Sequence, residues 1–188
     1  MPETIRSVVR RSVAERIPID EVETAMIVEF LARFDALTEP FSESVDPVHV
    51  TGSAIVVGPR GVVLLKHKRL GIWLQPGGHV DAGETPWEAA RREAVEETGL
   101  AVGFADLDDA GVPRLVHVDV HAGGRGHTHL DLRYLLDGGD ADPDPPAGES
   151  QEIGWFDWPI AIERASDDRL AALLTRLAPE DPASAPTG

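Results

Sequence analysis

Three glutamates, Glu93, Glu96 and Glu97, stand at i, i+3 and i+4 in the segment from Thr85 to Gly99. On a helix this spacing stacks three carboxylates on one face, where they repel one another. They also sit toward the C-terminal half of that segment, where a helix dipole disfavours negative charge. Local stability gains nothing from such a trio, whereas a hard divalent cation seeking oxygen ligands would be held by it. Cations so placed can neutralise phosphate oxygens and orient a water for attack on phosphorus. A solvated acidic face is the bland alternative, and the chain is acidic, with 33 Asp and Glu against 17 Lys and Arg and a net charge of -16.

The element that must carry the trio is well marked. Thr85 is placed to cap a helix, Pro86 suits its first position, Glu88 completes a capping box and Gly99 stops it. A helix from about Pro86 to Thr98 follows.

The rest of the spacing argues against a mere acidic face. Gly78, five residues, Glu84, seven residues, then Arg92-Glu93-Ala94-Val95-Glu96-Glu97-Thr98-Gly99-Leu100 fills every fixed position of the Nudix box, and the segment resembles that family. The resemblance is strict over the box. It is looser over about residues 48–160, through Trp73-Leu74-Gln75-Pro76-Gly77-Gly78 and Gly154-Trp155-Phe156. Gln75, between Leu74 and Pro76, is a modest departure that leaves the box intact.

The resemblance implies an α/β fold, a Nudix α/β/α sandwich around a mixed β-sheet. It implies a metal-dependent pyrophosphohydrolase that cleaves the diphosphate linkage of a nucleoside triphosphate or other nucleoside diphosphate derivative by water attack on phosphorus. Mg²⁺ or Mn²⁺ would be held by Glu93, Glu96 and Glu97 with the backbone carbonyl of Gly77. Arg92 would orient the carboxylates, in part through Glu84. The general base would be a box glutamate or an acid of a distant loop; Glu149 and Glu152 are candidates, and each could equally be an ordinary loop acid. A non-catalytic, nucleotide-sensing Nudix-like domain is the rival reading, but such domains commonly lose box carboxylates and this chain keeps all of them. An isopentenyl diphosphate isomerase shares the fold and relies on a cysteine; the chain has no cysteine, which also excludes disulfides and thiolate metal sites.

Around the box, residues 1–45 read as a helical hairpin, 46–178 as the hydrolase domain and 179–188 as a disordered tail. Ile5, Val8, Val9 and Val13 have helical spacing before Pro18; a second stripe, Met26, Ile27, Phe30, Leu31, Phe34, follows the N-cap candidate Asp20. Strands are expected at 50–58 and 62–69 around Pro59-Arg60-Gly61, at 115–121, at 127–136 and at 152–156, with one or two closing helices between 159 and 178. Residues 137–150, rich in Gly, Pro and Asp, read as a mobile loop.

Substrate contacts are the thinner part of the reading. Trp73, His129 and Arg133 are candidates. His117, Asp119 and His121 share one strand face, and His127, His129, Asp131 and Arg133 share another; they fit a substrate phosphate, a second metal or simply a polar outer sheet face. The charge balance opposes binding to a nucleic-acid duplex and leaves a small nucleotide or other diphosphate as partner. No apolar run long enough to span a bilayer occurs, no signal peptide is evident, and the cytoplasm is the expected location. The hairpin stripe must be covered, by the domain or across a homodimer interface.

Overall fold

The computed structural model describes residues 4–179, so the expected disordered tail falls almost wholly outside the described residues. Strand β1 (Val48–Gly58) organises the sheet. One edge runs parallel to β7 (Thr128–Asp137), in register from Val48 opposite Thr128 to Val57 opposite Asp137. The other edge is divided. Near its C-terminal end β1 turns into β2 (Gly61–Lys66), and at Thr51–Ser53 it pairs antiparallel with the short β4 (Gly77–His79). Strand β2 carries β3 (Trp73–Leu74) and β8 (Ile153–Phe156), while β7 carries β5 (Gly103–Phe104) and β6 (Leu115–Ala122). The sheet is therefore mixed.

Alternation along β1 and β7 splits the core into two layers. Val50, Ala54, Val56, Leu130, Leu132 and Leu136 face α2 (Glu21–Ala36) and α3 (Pro86–Thr98). Ile55 and Leu64 face α4 (Trp158–Arg164) and α5 (Asp168–Leu177) through Leu170, Leu173 and Leu174. Helices on both sides of a mixed sheet make the α/β/α sandwich. The closing segment is two helices because Asp167 caps α5, accepting from the backbone N–H of Arg169 and Leu170.

Helix α1 (Ile5–Ala14) and α2 form the N-terminal hairpin. Val9, Val13, Phe30 and Phe34 are buried in the same core as Val118 and Val120 of β6. The inner part of the hairpin's stripe is thus covered within the chain. A buried carboxylate stitches the hairpin down: Glu23 accepts from Arg16 Nε at 3.0 Å, from the Ile19 N–H at 2.6 Å and from the Val118 N–H of β6 at 3.0 Å.

Two local expectations are corrected. The 137–150 loop, expected to be mobile, is anchored: Asp144 N–H donates to Thr98 O at 2.9 Å, Gly138 N–H to Val57 O at 2.9 Å, and Trp155 Nε1 to Ala141 O at 2.7 Å. Its composition gives it little to bury, but its backbone groups find partners at the end of α3 and along β1. The histidine and aspartate faces of β6 and β7 are not simply an outer surface either: His117, Asp119, Asp131 and Arg133 are buried, whereas His121, His127 and His129 are partly exposed. Arg169 of α5 reaches in to Asp119 at 2.6 Å and helps to make that burial tolerable.

Candidate active site

Helix α3 forms as its ends dictate. Thr85 Oγ1 accepts from the Glu88 N–H at 3.2 Å, Glu88 returns the bond to the Thr85 N–H at 2.8 Å, and Gly99 closes the helix in the left-handed region at φ 70°. Gly52 lets it lie close on β1, since a Cβ there would collide with the carbonyl of Pro86. Ala89, Ala90 and Ala94 give it a small-residue inner face, fully buried.

This packing turns Glu93 and Glu97 toward β4. The Gly77 N–H donates to Glu97 Oε2 at 3.0 Å, and a Cβ on Gly78 would overlap the Glu93 carboxylate. The two glycines therefore bring bare backbone against two carboxylates. Burial pushes Glu97 up to about 7, against the Gly77 hydrogen bond and with help from the negative charges of Glu93, Glu149 and Glu96. Burial also raises Glu93, although Arg92 opposes it. Glu96 is the most solvent-exposed of the three.

Arg92 gathers the acids. Its Nε donates to Glu84 at 3.0 Å, its Nη1 to Glu93 at 2.8 Å and Glu96 at 3.2 Å, and its Nη2 to the His79 carbonyl at 2.9 Å. One guanidinium thus fixes Glu84, two of the trio and the β4 backbone, leaving no donor pattern free for a substrate phosphate.

The two loop acids separate in space. Glu149 lies close enough to Glu97 for its charge to act there. Glu152 is tied to Lys66 at 2.9 Å. Trp73 packs edge-on to Phe156 with Arg164 stacked on both rings, and Arg133 is locked between Asp131 and Asp119 at 3.1 Å each. Neither side chain is brought to the box. His129 lies instead in a group of imidazoles with His49, His79 and His121. His49 and His79 were not singled out from the sequence; the parallel pairing that sets His49 opposite His129 joins strands far apart in the chain.

The NUDIX domain model matches residues 47–176, more than half of the chain. The chain belongs to the Nudix family. Among its relatives is an RNA pyrophosphohydrolase of Erythrobacter litoralis, 37% identical over 100 residues, covering 48% of this chain and 60% of that one. An octanoyltransferase of Myxococcus xanthus is 34% identical over 171 residues, 82% of this chain but 43% of that protein. This Nudix chain spans about half the length of the curated relatives it matches, so their names describe longer proteins. A Nudix-family hydrolase from Clostridium perfringens superposes with a TM-score of 0.59 at 26% identity, covering 69% of this chain and 97% of that one. An Ap4A hydrolase from C. elegans superposes at 0.53 with 20% identity, covering 68% and 94%, a likeness of fold alone.

Proposed function

We propose that this Nudix protein is a Mg²⁺- or Mn²⁺-dependent pyrophosphohydrolase that opens the diphosphate linkage of a small nucleotide, a nucleoside triphosphate or another nucleoside diphosphate derivative. The observation that carries the reading is the placement of Glu93 and Glu97 against the bare backbone of Gly77 and Gly78, with their negative charge opposed by burial. A dication fits such a donor set: hard, anionic oxygens, held close, whose charge is costly without a counter-ion. Glu93, Glu96, Glu97 and the Gly77 carbonyl would hold it, and when bound it would neutralise phosphate oxygens and lower the pKa of a coordinated water.

The chain's own residues do the rest. Arg92 and Glu84 fix the directions of Glu93 and Glu96 and so position rather than react. Glu149, the loop acid that faces Glu97, is the candidate to take a proton from the attacking water; Glu152 is set aside for that role by its ion pair with Lys66. An acidic surface favours a small substrate over a polymer. The name of one relative, an RNA pyrophosphohydrolase, agrees with a phosphoanhydride substrate.

The test is a panel of nucleoside triphosphates, nucleotide sugars, ADP-ribose and dinucleoside polyphosphates in ¹⁸O-labelled water, with Mg²⁺, with Mn²⁺ and with a chelator. Cation-dependent cleavage that puts the label on a phosphoryl product is expected. Cleavage undiminished by the chelator, or an inert but folded protein across the panel, would overturn the reading.

A further inference from the structure

Outside the box, two overlapping groups among the described residues have the composition of a site and no assigned role: Glu43, His49 and His127, and the all-imidazole set His49, His79 and His129. His49 of β1, His79 of β4 and His129 of β7 come from three hydrogen-bonded neighbours in the sheet, with His49 directly opposite His129. Their ring centroids are 5.1–5.3 Å apart, and one ring nitrogen of each lies within 4.8 Å of the others.

The hydrogen bonds around the group decide which nitrogens are left over. His49 Nδ1 lies 3.2 Å from the Asp46 carbonyl, which must accept, so Nδ1 carries the proton and Nε2 keeps its lone pair. That Nε2 is buried, in a residue 1% exposed, and has no hydrogen-bond partner. His79 Nδ1 lies 3.3 Å from a Glu43 carboxylate oxygen, an ion-pair contact on the far side of the ring from its Nε2. For His49 and His79, an outer carbonyl or carboxylate on the far side of the ring is the arrangement that orients imidazoles toward a metal ion. An orphaned, buried imidazole nitrogen is costly unless something occupies its lone pair.

We propose that His49, His79 and His129 form a second metal site, for a borderline divalent transition ion of the Zn²⁺ class, separate from the oxygen donors of α3. Three nitrogen donors suit Zn²⁺ or Co²⁺ and leave a fourth position for water or another ligand, whereas Mg²⁺ prefers oxygen. Because the donors stand on strands, little rearrangement is needed to bring them together. The ion would tie β4 to β1 and β7, and β4 is the strand that presents Gly77 and Gly78 to Glu93 and Glu97. The site does not depend on the box carrying hydrolysis.

Co²⁺ titration of the full chain in excess Mg²⁺ tests the proposal, read by visible d–d absorption and by paramagnetic shifts of histidine ring signals. One tightly bound Co²⁺ with nitrogen-ligand absorption is expected. It should survive in a Glu93→Gln, Glu97→Gln double variant and be lost in His79→Asn and in His129→Asn, with far-ultraviolet circular dichroism confirming the fold. In the wild-type chain itself, the ring signals of three histidines should shift together, a readout that needs no variant. Absence of bound Co²⁺ in excess Mg²⁺, its loss with the box variant, its retention in both histidine variants, or unshifted histidine rings would each overturn the site.

Discussion

Glu97 holds its charge where the protein around it favours the neutral acid. Its ordinary value of 4.5 applies to the unfolded chain, and burial against β4 raises it to about 7 in the folded one. Between these values the folded state binds the extra proton, so without cations stability falls as pH rises through that window; below it the penalty vanishes and above it the penalty is complete. In chelator near pH ~8, Glu97→Gln is therefore expected to unfold at a higher temperature than wild type, by a margin on the order of 1 kcal/mol, and to lose that advantage below about pH 4.5. Saturating Mg²⁺ should reverse the order; equal midpoints at high pH in chelator would contradict the buried charge. The loop acids make a second prediction. Glu149→Gln should lower kcat by ~100-fold or more with little change in KM, and Glu152→Gln should stay within a few-fold of wild type, in line with typical general-base contributions. Steady-state kinetics on both variants checks it, and unaltered turnover in both would remove the loop from the mechanism. The box acids were legible because each is named by spacing along one helix. Arg133 and Trp73 were harder to read because a residue type suited to a ligand is equally suited to a buried ion pair or an aromatic stack, and the partners each meets are set by the fold.

At the level of elements, α3 was readable to the residue because its two ends are written in local chemistry, a Thr-x-x-Glu box and a glycine at positive φ. Gly99→Ala is expected to destabilise the protein by ~1 kcal/mol or more, since the left-handed backbone disfavours a side chain and a Cβ would also meet the Asp144 carbonyl. Chemical denaturation measures this, and an unchanged midpoint would contradict it. The β1–β2 turn was similarly visible, and the closing helical segment was legible as one helix or two. What could not be read was pairing between distant segments: β1 beside β7, β4 on the edge of β1, and the loop after β7 fastened to the end of α3. None of these has a local sequence signature, because each is set by which strand edges are left over once the helices have covered the faces. Glu23 shows the same limit. As the third residue of a helix it looks like half of a capping box, yet its carboxylate reaches across to the backbone of β6. Glu23→Ala should cost on the order of 3 kcal/mol by leaving the Arg16 charge and a strand N–H without their partner. A loss under about 0.5 kcal/mol in urea unfolding would place the pair with weak surface bridges instead.

For the molecule as a whole, the sandwich encloses two kinds of buried polar structure with different tasks. In the Asp119, Asp131, Arg133 and Arg169 cluster both carboxylates are paired, with Thr51 and Ser53 also donating to Asp131 at 2.9 and 2.8 Å, while Arg133 Nη1 is buried without a hydrogen-bond partner. The cluster fastens β6, β7, β1 and α5 together and serves the fold. The carboxylates of α3 meet Arg92 and, at Glu97, the Gly77 N–H, and their mutual repulsion is what the proposed cation would offset. The hairpin α1–α2 belongs to the folding unit, because Phe30 and Phe34 are fully buried in the core that also contains β6. Phe30→Ala is accordingly expected to destabilise the entire chain by ~3–5 kcal/mol in a single cooperative transition. Separate melting of hairpin and sheet, seen by calorimetry, would contradict one shared core. The most direct measurement is the rate of diphosphate cleavage against Mg²⁺ concentration for wild type and Glu97→Gln, on the best substrate of the panel. A saturable Mg²⁺ dependence in wild type and a rate lower by ~100-fold or more in the folded variant is the predicted result. Equal rates in the two proteins, or a rate indifferent to Mg²⁺, would contradict the assignment of α3 as the seat of the chemistry.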